Sequence, residues 1–158
     1  MIGRDIDPQP NPRKGLMKRN AVSEPVLPAR SSLMARIGPK NSRPEMVVRK
    51  LAHRLGYRFR LHRRDLPGTP DIVFPVKRRV VFVHGCFWHR HKNCYRTTTP
   101  KTRAEFWAEK FSRNVERDAK NVRLLKELGW HVLIIWECDT FDPDRLEGLL
   151  AKFLRRAG

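Results

Sequence analysis

The sequence predicts a single α/β domain with a central mixed sheet flanked by helices. Three features predict it. Two short apolar runs, 72–74 and 80–83, are joined by a tight link; a second pair of apolar runs is separated by a long helical period; and amphipathic helical patterns stand at both ends of this region. The first element is a helix opened by Ser42-Arg43-Pro44-Glu45, a capping box with Pro in the first turn. Val47, Val48, Leu51 and Leu55 follow at helical spacing, and Gly56 stops the helix. Tyr57, Phe59 and Leu61 then alternate with Arg58, Arg60 and His62, the period of a half-buried strand with a basic outer face. A turn-rich link, Leu66-Pro67-Gly68-Thr69-Pro70, leads into the strand Ile72-Val73-Phe74, which Pro75 ends. Arg79 to His84 reads as a buried strand, and its short connection to Ile72–Phe74 makes the pair an antiparallel hairpin.

Thr102-Arg103-Ala104-Glu105 reads as a second capping box. It opens a long helix with Phe106, Phe111, Val115, Val122 and Leu125 on one face, ended by Gly129. Trp130 to Trp136 is the strongest buried-strand signal. Strand, helix and strand form a βαβ unit, so Arg79–His84 and Trp130–Trp136 are expected to run parallel. Asp142-Pro143 caps a last helix with Leu146, Leu149, Leu150 and Phe153 inward. Residues 1–32 hold five of the 12 prolines and no apolar period, and read as a disordered basic tail before a domain at 33–158.

The 158 residues carry 34 Lys and Arg against 16 Asp and Glu, a formal charge of +18, which makes a polyanion the default partner. No apolar run approaches the roughly 18 residues of a membrane span, and the N-terminus lacks the apolar stretch of a signal peptide. A cytoplasmic protein without membrane contact is expected. Three Cys are too few, and odd in number, for a secreted disulfide scaffold. Arg49, Lys50, Arg54, Arg58, Arg60, Arg63 and Arg64 form a one-sided cationic stretch suited to tracking phosphates.

The expected topology carries Cys86 and Cys138 just past the ends of two parallel strands. The hairpin returns Asp71 to the same edge, opposite Phe82 to His84, at the carboxyl ends where open α/β sheets place ligands. Cys86, His91, Cys94 and Cys138 then make a tetrahedral zinc set, with His91 preferred to His89 because it stands closer to Cys94; the alternative is three buried free thiols. Asp71 either anchors a hard cation such as Mg2+ against a phosphate or is a turn residue accepting backbone N–H groups. Glu45 is explained by its capping box. His84 is either a satisfied core histidine or, beside Asp71, a site residue. Phe87 and Trp88 either plug a core or stack on and wedge between bases, and an extended loop there sends the two rings to opposite sides.

These residues resemble the very-short-patch repair (Vsr) endonucleases, DNA mismatch nicking enzymes of the PD-(D/E)xK nuclease class. The resemblance runs from about Met34 to Cys138. It is carried by Arg43-Pro44-Glu45-Met46, Leu66-Pro67-Gly68-Thr69-Pro70-Asp71, Phe82-Val83-His84-Gly85-Cys86-Phe87-Trp88-His89, Glu105-Phe106-Trp107, Asn114-Val115-Glu116-Arg117-Asp118 and Gly129-Trp130 through Trp136-Glu137-Cys138. It implies a restriction-endonuclease-like fold and a Mg2+-dependent cut 5′ of the mispaired T in a T:G mismatch, the product of 5-methylcytosine deamination. Asp71 would bind Mg2+ with the backbone carbonyl of Val83, and His89 would be the general base. Glu45 and His84 would support metal-bound waters, with Asp118 near the site. Cys86, His91, Cys94 and Cys138 would hold structural zinc, while Phe87, Trp88 and Met34 would intercalate beside the mismatch. The acid and Lys that usually follow the PD motif are absent after Phe82, so base catalysis falls to His. A monomer acting on double-stranded DNA, with mismatch-repair proteins as possible partners, follows. Two other readings are a zinc-stabilised DNA-binding module without catalysis and a restriction-associated endonuclease of the same fold.

Overall fold

The computed structural model describes residues 41–155. The tail expected over 1–32, and Met34, lie outside them. The chain runs α1 (Arg43–Arg54), β1 (Arg60–Leu61), β2 (Ile72–Phe74), a 3-10 turn (Pro75–Lys77), β3 (Arg79–His84), α2 (Ala104–Glu127), β4 (His131–Trp136), a second 3-10 turn (Glu137–Phe141) and α3 (Pro143–Arg155). Among the described residues the strands form one mixed sheet in the order β1-β2-β3-β4. β2 and β3 pair antiparallel with Ile72 opposite Val81. β3 and β4 pair parallel, from Arg79 opposite His131 to His84 opposite Trp136.

Strand alternation sorts the core onto two faces. Ile72, Phe74, Val81 and Ile135 point to one side, where α1 and α3 cover them with Val48, Leu51, Ala52, Leu146, Leu150 and Leu154. Val73, Val80 and Phe82 point to the other and meet Leu66, Trp130 and Leu125 of α2. Fully burying each such aliphatic side chain contributes about 1.5–3 kcal/mol. The sheet is therefore covered on both faces, as the parallel β3–β4 pair requires. Among the described residues no helix is long and apolar enough to cross a membrane.

The hairpin, the βαβ unit and the parallel pairing match the sequence expectations, and other details differ. Only Arg60 and Leu61 of the alternating 57–62 segment pair with β2; Tyr57 and Phe59 pack their rings edge-on against Phe74 instead. The second capping box does not form. Arg103 takes the N-cap position of α2 in the left-handed region, with φ 54°, and no side chain caps the helix. Phe106 and Val115 on the expected apolar face are exposed, while Phe111 and Leu125 are buried. Among the described residues β4 is an edge strand, and of its apolar residues Ile135 alone is fully buried despite the strong apolar signal. In α3 it is Leu154, not Phe153, that joins Leu146 and Leu150 in full burial.

Candidate active site and metal centre

Asp71 stands at the start of β2 against the far end of β3. The Val83 N–H donates to Asp71 Oδ2 at 2.8 Å, extending the hairpin's contacts by a side-chain bond after its last paired residues. A strand residue sends its N–H and C=O to the same edge, so the Val83 carbonyl also faces the β2 side. The carboxylate is mostly buried, with its side chain 18% exposed. Burial pushes its pKa up to about 6, and the nearby Glu45 charge pushes the same way, against the Val83 bond and the Arg49 and His89 charges. One oxygen accepts a backbone N–H, as the turn-residue reading expects, and the carboxylate lines a cleft of 480 Å³ shared with Glu45, His62, Val83, His84, His89, Arg117 and Asp118.

Glu45 does more than cap α1. The Ser42 hydroxyl donates to Oε1 at 3.0 Å and the Asn41 N–H to Oε2 at 3.0 Å, but Arg49 also donates to Oε2 at 2.8 Å and His62 Nε2 lies 3.8 Å away. Arg49 is thus withdrawn from the cationic surface expected over 49–64. Arg54 and Arg63 are also engaged there, with Glu147 and Asp65.

His84 ends β3 and is buried, with its ring stacked on His89 at 3.8 Å and 11° and edge-on to Trp136 at 5.5 Å. Desolvation, aided by the His89 charge, lowers its pKa to about 4, so it is neutral near pH 7. His89 Nδ1 lies 2.5 Å from Asp118 Oδ2. Desolvation of Asp118 opposes ionisation. The hydrogen bond to His89 and the His89, His84 and Arg117 charges outweigh it and hold the carboxyl below its ordinary range. Asp118 is then the acceptor and His89 Nδ1 the donor, which leaves His89 Nε2 able to take a proton. His84, His89 and Asp118 bring one ligand atom each to within 4.8 Å of the others. The imidazole lone pairs lie in the ring planes, however, and in a stacked pair they run side by side instead of converging on one ion. The arrangement suits proton handling, not chelation.

The turn at the exit of β3 gathers the second group. His91 N–H donates to Cys86 O, and the Thr97 hydroxyl reaches the carbonyls of Cys86 and His91 at 3.2 and 2.7 Å. Cys86, His91, Cys94 and Cys138 place their ligand atoms within 4.8 Å of one another. His91 Nδ1 lies 3.7 Å from Cys86 Sγ and 3.3 Å from Cys138 Sγ, bracketing the edge of about 3.6 Å that tetrahedral Zn–S and Zn–N bond lengths imply. His91 also stacks flat on Trp136 at 4.2 Å. Burial raises the Cys86 thiol to about 12, so a soft divalent cation must displace its proton to be held there. The donors fit zinc, and the structure puts His91, not His89, in the set.

Phe87 and Trp88 lie on one side of the chain, because residues 86–90 form a turn and not an extended loop. Their ring centroids are 5.0 Å apart. Phe87 meets Trp107 at 5.9 Å and Phe111 at 5.2 Å, and Lys110 Nζ sits over Trp88 at 5.1 Å. Sequence reasoning gave Trp107, His62 and Arg49 no place in the site. Trp107 could have been found from its helical register with Phe111, but His62 and Arg49 carried no signal that set them apart from the surrounding basic residues.

Residues 27–96 match the family model described as DNA mismatch endonuclease Vsr. The chain is 50% identical over 125 residues to the type II nicking enzyme V.XorIIP of Xanthomonas oryzae pv. oryzae, covering 79% of this chain and 91% of that one. It is 47% identical over 109 residues to the DNA mismatch endonuclease Vsr of Escherichia coli, 69% of each chain. The type II nicking enzyme V.NmeAIP of Neisseria meningitidis is 42% identical over 110 residues, 70% of this chain and 78% of that one.

Because the Asp71 pKa lies above its unfolded value of 3.8, its contribution to stability is complete below about pH 4 and is lost as pH rises through 6. Asp71→Asn in Mg2+-free buffer is therefore more stable than the parent by about 2–3 kcal/mol at pH 7, and by less than about 1 kcal/mol at pH 4, in urea denaturation. A variant less stable at pH 7 contradicts this. Cys94→Ser should lose bound metal by elemental analysis, along with much of the domain's stability; unchanged metal content removes Cys94 from the ligand set.

Proposed function

The chain belongs to the Vsr family of DNA mismatch endonucleases and is a DNA endonuclease. From that premise we propose that it nicks one strand of duplex DNA on the 5′ side of the mispaired T in a T:G mismatch, in a Mg2+-dependent reaction on a restriction-endonuclease-like fold. The observation that carries the reading is the cleft where a partly buried carboxylate, Asp71, and an anchored imidazole, His89, face the same space.

Asp71 and the Val83 carbonyl would hold Mg2+, which supplies charge stabilisation on the phosphate and a template for in-line attack. The raised pKa of Asp71 favours that role, since a carboxylate short of solvation gains most from a cation. His89 receives the proton of the attacking water at Nε2, and the Asp118 carboxylate stabilises the imidazolium that results. His84 stays neutral and orients water beside the stacked ring, while Glu45 orients water from the α1 side. The exposed cations bind the DNA backbone. Phe87 and Trp88, joined by Trp107 and by Met34 from the N-terminal segment, would wedge beside the mispair, whose weaker stacking makes it the easiest step to open. Zn2+ on Cys86, His91, Cys94 and Cys138 would hold the loop that carries both the wedge and His89.

The names of V.XorIIP and V.NmeAIP as type II nicking enzymes support cleavage of one strand and favour a second reading, a restriction-associated nicking role with the same chemistry. Matched and T:G duplexes of varied flanking sequence, incubated with Mg2+ or chelator, test the proposal. Mg2+-dependent nicking at the mismatch is expected, with Asp71→Ala inactive but still binding duplex and His89→Ala slower by about 10²–10⁴-fold. Binding without cleavage in every context would overturn it, and full activity in Asp71→Ala would remove Asp71 from the site.

A further inference from the structure

His62 and Arg49 line or adjoin the cleft but have no part in the chemistry above. Helical spacing puts Arg49 one turn after Glu45, and the guanidinium is buried. Its Nη1 donates to Asn41 Oδ1 at 2.6 Å, and its Nη2 lies 2.8 Å from both Glu45 Oε2 and His62 Nε2. A guanidinium has donors only, so His62 Nε2 is the acceptor and the ring carries its proton on Nδ1. That atom is 3.8 Å from Asp71 Oδ1. The other carboxylate oxygen is already fixed by the Val83 N–H. The backbone aims His62 the same way: just past β1 it turns into the left-handed region at φ 46°, and its own N–H donates to the Asp71 carbonyl at 3.4 Å.

We propose that His62 is a positioning residue for the Asp71 carboxylate. Arg49 sets its tautomer, and Nδ1–H steadies Oδ1 so that the carboxylate meets a divalent cation in one orientation. Glu45 and Asp71 face opposite nitrogens of this ring, each at 3.8 Å. The imidazole therefore also stands between two like charges. The role requires one group that accepts at one end and donates at the other. A glutamine amide meets that requirement, and leucine does not. Both pay the same backbone strain at a positive φ, so the comparison isolates the polar contacts at the two ring nitrogens.

This inference rests on Asp71 as the cation anchor, and the experiment separates the two. Mn2+ binding to the full chain is measured by electron paramagnetic resonance for the parent, His62→Leu, His62→Gln and Asp71→Ala, and half-saturating Mg2+ is measured for nicking. His62→Leu should weaken Mn2+ binding and raise the Mg2+ requirement by about tenfold or more, with the rate at saturating Mg2+ little changed, while His62→Gln stays close to the parent. Asp71→Ala binding Mn2+ like the parent would defeat the anchor reading itself. If Asp71→Ala loses the ion while His62→Leu keeps it, the role of His62 is overturned; equal loss in His62→Gln and His62→Leu overturns the role of the polar ring nitrogens. Nitrogen-15 spectra of the unsubstituted protein give a test that needs no folded variant: Nδ1 should be protonated and Nε2 not, and the reverse tautomer contradicts the proposal.

Discussion

The site depends on the parallel pairing of β3 with β4. Six residues of each strand lie in register, from Arg79 with His131 to His84 with Trp136, so both chains leave the sheet at one edge. Cys86 and Cys138 meet there because they follow those strands by two residues each. The antiparallel β2 then begins at the same edge, and the bond from the Val83 N–H fixes Asp71 to it. A slip of one residue in either pairing would turn Asp71 or His84 to the opposite face of the sheet. The two covered faces of the sheet, with Ile72, Val81 and Ile135 on one and Val73, Val80 and Phe82 on the other, forbid that slip.

The same edge concentrates groups whose charge burial disfavours. Asp71 is pushed up to about 6 and His84 down to about 4. The two have opposite consequences for stability. Asp71 withdraws its contribution as pH rises through 6, whereas the contribution of His84 is present above its unfolded value of 6.5 and is lost as pH falls through 4. Between pH 4 and 6 they offset each other, so the domain can hold both groups without a steep acid transition from this cluster. Trp136 ties the two halves of the edge together, stacked on His91 of the Cys/His group and edge-on to His84 of the cleft.

Much of this was legible in the residues. Ser42 and Glu45 marked the start of α1, the Pro-Gly link marked the hairpin, and the long helix between two apolar runs marked the parallel pair. Together they were enough to bring Asp71, Cys86 and Cys138 to one edge. The Thr102 box was not honoured, since Arg103 turns left-handed where α2 begins. The apolar run of β4 overstated its burial, because hydrophobicity does not reveal which strand is the edge among the described residues. An extended loop would send Phe87 and Trp88 to opposite sides; the turn that lets His91 reach Cys86 and Cys138 puts them on one. Arg49 and His62 were hidden among like residues, because a buried cation and a surface cation look the same in a basic sequence until a packed helix shows which face it presents.

We propose that Asp71, and not the stacked histidine pair, is where this edge holds a hard divalent cation. Anomalous scattering from a crystal of the protein soaked in Mn2+ measures that directly. A manganese peak is expected within bonding distance of the Asp71 carboxylate, on the side of the Val83 carbonyl, and none bridging His84, His89 and Asp118. A peak bridging those three, or full Mn2+ occupancy elsewhere with Asp71 bare, would contradict it.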